Sequence, residues 1–228
     1  MIDFNNLFNN FKSKKILIVG DVMIDSYMWG KVNRMSPEAP VPVVDVNKYE
    51  KKLGGAGNVA LNIKSLGAEP LLCSVIGNDT EGELFIKLLK EQDISFDSIQ
   101  VNENRKTTVK TRIIANEKHQ IRIDEEDTNE IEDTRGLMKI IESHKEIDAI
   151  ILEDYNKSVL TKQLIRNIID YAKKRQIPII VDPKVKNFKA YKNCTLFKPN
   201  LNEIKKGMDI SFDEYSHCLL YTSDAADE

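Results

Sequence analysis

Four stretches of the chain are continuously apolar, and each stops at glycine or at acidic and polar residues. Ile16-Leu17-Ile18-Val19 ends at Gly20, and Leu71 to Ile76 ends at Gly77-Asn78-Asp79. Ala149-Ile150-Ile151-Leu152 ends at Glu153-Asp154, and Ile177 to Val181 ends at Asp182-Pro183-Lys184. Short apolar runs without alternation, bounded by turn residues, read as strands buried on both faces. A shorter one, Thr195-Leu196-Phe197, leads to Lys198-Pro199-Asn200. The segments between them carry helical spacing. Phe4, Leu7, Phe8 and Phe11 suggest a short lead-in helix, and Val59, Ile63 and Leu66 a second, stopped by Gly67. Leu84, Leu88 and Leu89 follow a Thr80-Glu81-Gly82-Glu83 capping box. A further helix is expected over about Glu130 to His144. Another, capped by Thr161, turns Leu164, Ile165, Ile168, Ile169 and Ala172 inward. Buried strands alternating with amphipathic helices predict an α/β fold with a doubly wound, mainly parallel sheet.

Two stretches break this rhythm. Ser36-Pro37-Glu38-Ala39-Pro40-Val41-Pro42 carries three prolines, which exclude helix and central strand. Val41, Val43, Val44 and Val46 then suggest an edge strand leaving the main sheet. Thr107 to Ile114 is β-branched and Gln120 to Asp124 alternates, so 106–125 reads as a hairpin turning through Asn116-Glu117-Lys118-His119. Segments 42–48 and 106–125 together would make a small sheet, either a lid over a site or an ordinary edge hairpin.

The 228 residues suffice for one large or two small domains, and 41% hydrophobic with 30% charged residues is an ordinary globular balance. The net charge of −3 gives no general attraction to nucleic acid or anionic membrane. No apolar run reaches membrane-spanning length, and no secretion signal opens the chain. Cys73, Cys194 and Cys218 fit neither a disulfide framework nor a zinc site, so a reducing cytoplasm is expected. His119, His144 and His217 form no metal-binding pattern.

Candidate chemistry gathers in a few places. Leu53-Gly54-Gly55-Ala56-Gly57-Asn58-Val59-Ala60 is a glycine-rich loop entering a helix, where backbone can approach a ligand closely. Its Gly55-x-Gly57-x-x-Ala60 also fits the relaxed dinucleotide fingerprint, with Asp79 near the place of a ribose-binding acid. A nicotinamide-dependent oxidoreductase is therefore one alternative. Against it, the loop follows a proline-rich edge segment and not the first strand. Asp21 and Asp25, just after the first strand, either wall a site or serve as loop and cap residues.

Gly54-Gly55-Ala56-x-Asn58-x-Ala60, Gly67 and Gly77 together resemble the ribokinase-like (PfkB-type) carbohydrate kinases, over roughly residues 12–215. Within that family, Gly20 to Asp25 and Met35 to Val43 are similar to the heptose 7-phosphate kinases. Asp154-Tyr155-Asn156-Lys157, Asp182-Pro183-Lys184 and Lys198-Pro199-Asn200-x-x-Glu203 agree with that subgroup.

The resemblance implies transfer of the ATP γ-phosphoryl to the anomeric hydroxyl of a heptose 7-phosphate, in lipopolysaccharide precursor synthesis, with ATP and Mg2+ as cofactors. It implies that Asp25 and Asn58, beside Gly54 and Gly55, bind sugar hydroxyls. Arg112, Arg122, Lys157 and Lys184 become candidates for the 7-phosphate, or are solvated surface charges. Asn200, Leu201, Asn202 and Glu203 would lie near the nucleotide phosphates and magnesium. A homodimer through the lid is implied as well, with Ile113, Ile121 and Ile123 as carriers. Two features depart from the family. Its Asp-Thr-x-Gly-Ala-Gly-Asp motif, which carries the catalytic Asp, has no counterpart here, and the last glycine is Gly207. Residues 216–228 have no family counterpart and resemble translated adapter sequence. The expectation is therefore the N-terminal part of a kinase domain, over residues 1–215, inactive as it stands. A non-catalytic sugar-phosphate-binding module is the other alternative.

Overall fold

The computed structural model describes residues 4–131 and 133–210. The stretch 216–228, expected to be foreign to the family, lies outside the described residues.

Helix α1 (Phe4–Phe11) leads into β1 (Lys15–Gly20), and after one residue the chain runs out along β2 (Val22–Met35). It returns along β3 (Pro42–Gly55) and passes directly into α2 (Ala56–Ser65). Then follow β4 (Glu69–Gly77), α3 (Thr80–Glu91), β5 (Ile99–Asn102), β6 (Val109–Ala115) and β7 (Lys118–Glu125). The last third comprises α4 (Arg135–Ser143), β8 (Ala149–Glu153), α5 (Lys162–Arg175) and β9 (Ile179–Asp182). A 3₁₀ helix (Val185–Ala190), β10 (Leu196–Phe197) and α6 (Leu201–Met208) complete the described chain.

Six strands form the main sheet in the order β10-β9-β8-β1-β4-β5, and every pairing in it is parallel. The alternation within β1 explains the two layers of helix. Leu17 and Val19 point into a core with Leu137 and Ile141 of α4 and Leu164, Ile165 and Ile168 of α5. Ile18 points the other way, into a core with Ala60 of α2 and Phe85 and Leu89 of α3. All eight of those apolar helix residues are essentially inaccessible to water. Burial of both faces is what made the strands legible as unbroken apolar runs.

The four-stranded second sheet has the order β3-β2-β6-β7. Segments 42–48 and 106–125 do stand apart from the main sheet, as expected. The long strand β2 was not anticipated; it runs antiparallel to β3 and parallel to β6. Pro37 and Pro40 occupy the turn between β2 and β3, and Pro42 opens the edge strand, where a missing amide is tolerated.

Three boundaries differ from expectation. Ala115 pairs with Lys118, so the β6–β7 turn has two central residues, Asn116 and Glu117, both at positive φ (51° and 62°). That left-handed pair matches the twist of the flanking strands. Helix α4 starts at Arg135 rather than near Glu130. The cap of α3 is Asp79, whose carboxylate accepts from Gly82 N at 2.7 Å, and not a box built on Thr80.

Candidate active site

The two sheets meet at the carboxyl end of β1, and one residue forms the joint. Asp21 is 1% exposed and accepts three backbone N–H bonds from the loop after β8. Oδ2 takes Tyr155 at 2.8 Å and Lys157 at 2.9 Å, and Oδ1 takes Val159 at 3.0 Å. Its own N–H donates to Glu153 O, and its carbonyl accepts Ala56 N at the start of α2. Burial pushes the Asp21 carboxyl up from its ordinary range, against the three amides that favour the carboxylate. Asp21 is thus neither a solvated loop acid nor a helix cap. It ties the 155–159 loop to the root of the small sheet.

The glycine pair is explained at the same joint. Gly55 has φ +56°, and a Cβ there would stand 2.3 Å from Asp21 O. A Cβ on Gly54 would stand 2.6 Å from Asp25 Oδ2 and 2.8 Å from Met23 Cγ. Both positions therefore require glycine for the protein's own packing, whatever ligand comes near. Asn58 is exposed in the first turn of α2, a helix whose N-terminus has no side-chain cap.

Strand register gives the small sheet two chemically different faces. Residues directly opposite one another share a face, and Tyr27 lies opposite Arg112, which lies opposite Arg122. Asp25, Lys110 and Asp124 follow two residues away on that same charged face. Arg112 Nη1 donates to Asp25 Oδ1 at 2.5 Å, and its guanidinium sits 5.3 Å from the Tyr27 ring centre. Arg122 is engaged with both oxygens of Asp124, at 2.8 and 3.0 Å. Lys110 bridges Asp124 at 3.1 Å and Glu126 at 3.5 Å, and Lys157 meets Glu126 at 2.6 Å. Arg122 and Lys157 thereby fall along one ion-paired path from the small sheet to the main body, and the separate Asp25–Arg112 pair lies on the same face.

Lys184 belongs to another group, at the ends of β8, β9 and β10. It pairs with Glu203 and lies 5.3 Å from the Tyr155 ring centre. Lys198 pairs with Asp182 at 3.1 Å. Asn200 and Glu203 form a capping box at α6, at 2.8 and 2.9 Å, with Leu201 and Asn202 exposed beside it. Sequence reasoning passed over Glu153, which ends β8 here. Burial, with Asp182 beside it, pushes its carboxyl up to about 7, against Lys184, Lys198 and a bond from Tyr155. Its setting depends on burial and on the Glu153↔Asp182 register, which the sequence by itself does not display.

The dinucleotide alternative fails on placement. Its fingerprint joins a strand of the small sheet to α2, not β1 to a helix. Asp79, its supposed ribose ligand, is used as the cap of α3 and also accepts Thr107 N at 2.8 Å.

A family model for pfkB family carbohydrate kinases matches residues 13–217. The chain belongs to the pfkB family. Among curated relatives, the bifunctional protein HldE of Helicobacter pylori (strain J99) is 43% identical over 207 residues. That match takes in 90% of this chain and 45% of the relative. HldE of Sulfurimonas denitrificans is 42% identical over 192 residues, covering 83% of this chain and 40% of the relative. The chain thus spans under half the length of these relatives. In fold, it resembles phosphofructokinase-2 from Escherichia coli in complex with fructose-6-phosphate, with a TM-score of 0.73 at 17% identity. That superposition covers 93% of this chain and 69% of the other. Arabidopsis thaliana ribokinase complexed with ribose and ATP gives 0.66 at 14% identity, covering 93% and 68%.

Two outcomes are expected of this pfkB-family chain. Asp21→Ala would leave three amides of the site loop without an acceptor, at about 1–3 kcal/mol for each that stays buried. Urea unfolding should show a loss of roughly 3 kcal/mol or more, and a loss below about 1 kcal/mol would refute the tying role. For Glu153, the folded-state value near 7 lies above the ordinary 4.5, so the folded protein retains a proton that the unfolded chain has lost between them. The stabilisation from that proton is complete below 4.5 and disappears as pH rises through 7. Between about pH 5 and about pH 8 the protein should lose stability, by at most about 3 kcal/mol, relative to Glu153→Gln. Parallel pH–stability curves for the two proteins would contradict it.

Proposed function

We propose that this chain is part of a sugar kinase that carries the ATP γ-phosphoryl to the anomeric hydroxyl of D-glycero-D-manno-heptose 7-phosphate, yielding the 1,7-bisphosphate and ADP. The observation that carries the reading is the family match over residues 13–217, which contains every heptose-kinase-like motif from Gly20-Asp21 to Asn200-x-x-Glu203. Identity above 40% to HldE proteins over the same part of the chain supports it.

In this reading the charged face of the small sheet and the 155–159 loop receive the sugar phosphate. Asp25 and Asn58 hold hydroxyls beside the Gly54-Gly55 backbone. Arg112, Arg122 and Lys157 each have a carboxylate partner, and a phosphate dianion competes for them as a bidentate or multiply charged acceptor. Lys184, paired with Glu203, stands between the sugar end and the nucleotide end. The residues fit a magnesium nucleotide in kind, since Asp182 and Glu203 supply hard carboxylate oxygens. Among the described residues no three His, Cys, Asp or Glu side chains converge on a metal site. That suits an ion held by one or two carboxylates plus phosphate and water oxygens. When bound with ATP, Mg2+ supplies neutralisation of phosphate charge. The chain's part is to hold the acceptor hydroxyl and the nucleotide in line and to close the small sheet over them.

Two tests bear on the reading. Joined to the C-terminal segment of an HldE relative, the chain should phosphorylate heptose 7-phosphate with ATP. Asp25→Ala in that protein should lower kcat/KM by about ten- to a hundredfold, as loss of charge-assisted hydrogen bonding does. Unchanged kcat/KM would remove Asp25 from sugar binding. The 228 residues alone, lacking the family's Asp motif, should show turnover lower by at least about 10²–10⁴-fold. Equal turnover by the two would refute the assignment of the base to that motif.

We propose further that the apolar face of the small sheet forms a homodimer. Ile121 and Ile123 are exposed there, at 56% and 45%, and half-buried Ile113 lies opposite Ile121. In sedimentation equilibrium at micromolar concentration the joined protein should be dimeric and its Ile121→Asp variant monomeric. A monomeric parent would overturn the interface.

A further inference from the structure

A groove of about 670 Å³ opens between α5, the 3₁₀ helix and the end of α6. It shares no residue with the candidate active site. Lys162 and Arg166 line it from α5, and Lys186, Lys189 and Lys192 from the 3₁₀ helix and the residues just after it. Against these five cations the lining contains one acid, Asp170. The chain as a whole carries −3, so this concentration of positive charge is local and not a sample of the average surface. Lys186 pairs with Glu130 at 3.1 Å. Among the described residues, Lys162, Arg166, Lys189 and Lys192 have no carboxylate partner, although ion pairs occur over much of the remaining surface.

A second observation lies in the wall of the same groove. Asn187 lines it and is 3% exposed. Its Nδ2 donates to Leu160 O at 2.7 Å and to Asp154 Oδ2 at 3.3 Å, while its Oδ1 has no partner among the described residues. A buried amide oxygen without a donor is a feature folded proteins ordinarily avoid.

We propose that this groove is a second binding site, for a small, multiply charged, phosphate-bearing anion. Several cations converging on one concavity, unneutralised by the chain's own acids, suit a compact ligand whose charge is concentrated on phosphate oxygens. The ligand chemistry is the same whether it comes from free pyrophosphate or from the diphosphate end of a nucleotide, and the two are separable by experiment.

The test is calorimetric titration of the 228-residue chain with sodium pyrophosphate at low ionic strength, and separately with ADP. Four proteins are compared: the parent, Arg166→Glu/Lys189→Glu, Lys106→Glu/Lys118→Glu and Lys184→Ala. The second double variant changes net charge equally at exposed positions far from the groove, and thermal melts confirm that each variant is folded. Pyrophosphate should bind the parent, and binding should fall about tenfold or more in Arg166→Glu/Lys189→Glu alone, weakening further with added salt. The same loss with ADP would assign the nucleotide source, and its absence would assign free pyrophosphate. No binding to the parent would overturn the proposal. So would an equal loss in both double variants, or a loss confined to Lys184→Ala.

Discussion

The fold depends on a buried carboxylate held by backbone amides, with no direct ion pair among the described residues. Asp21 satisfies its two oxygens with three amides from residues 155–159, while its main chain reaches Glu153 on one side and Ala56 on the other. Segments more than a hundred residues apart in sequence are thereby fixed within hydrogen-bond distance of one side chain. The arrangement favours amides over a lysine or arginine because amides on a loop are already part of the backbone and lose little entropy on docking. Everything at the mouth of the sheet follows from it. The loop that carries Tyr155 and Lys157 is held in place, and the departure of β2 from the main sheet has a fixed origin.

The charged groups around this joint are paired almost throughout. Arg112 meets Asp25, Arg122 meets Asp124, Lys157 meets Glu126 and Lys184 meets Glu203. Such pairs contribute little to stability where they are exposed. Under the proposed function they matter for binding, because any phosphate that recruits these cations must first displace a carboxylate. The net affinity is then a difference between two charge-assisted sets, which favours a dianion over a singly charged or neutral sugar. A single ion-paired path from Arg122 through Asp124, Lys110 and Glu126 to Lys157 also links the small sheet to the main body.

The main sheet was legible in the sequence because strands covered on both faces cannot afford polar positions, so Ile16–Val19 and Ala149–Leu152 announce themselves. The small sheet was legible only in pieces. Strand β2 escaped notice because its inner half is buried and its outer half is mixed, with Tyr27, Trp29, Lys31 and Arg34 breaking any clean alternation. The turn at Asn116-Glu117 looked longer than it is because Glu117 is an unusual occupant of a left-handed position. Asp79 and Thr80 compete for the same cap by composition, and only the additional bond from Thr107 N, far along the chain, decides between them. The role of Asp21 was not readable at all. Its partners are backbone amides, which every residue has, so no side-chain pattern marks them. Glu153 illustrates the same limit, since its raised pKa depends on the neighbouring strand's Asp182 and on burial.

The glycine loop carries the argument one step further. Its resemblance to a dinucleotide fingerprint arises because both need glycine where a strand turns sharply into a helix. Here the demand comes from the chain itself. Asp21 O would lie 2.3 Å from any Cβ on Gly55, and the carboxylate of Asp25 would lie 2.6 Å from one on Gly54. A residue at either position would therefore disrupt the joint before any substrate arrived. The glycines thus report on the meeting of β2, β3 and α2. This is why a joint pattern, with Gly54, Gly55, Asn58, Gly67 and Gly77 at fixed separations, identifies the family when the bare loop does not. Each glycine records a separate constraint: a close contact at 54, a left-handed backbone at 55 and 67, and at 77 a Cβ that would stand 2.3 Å from Arg105 O. Four independent steric requirements are hard to meet by chance, whereas one glycine-rich turn is easy.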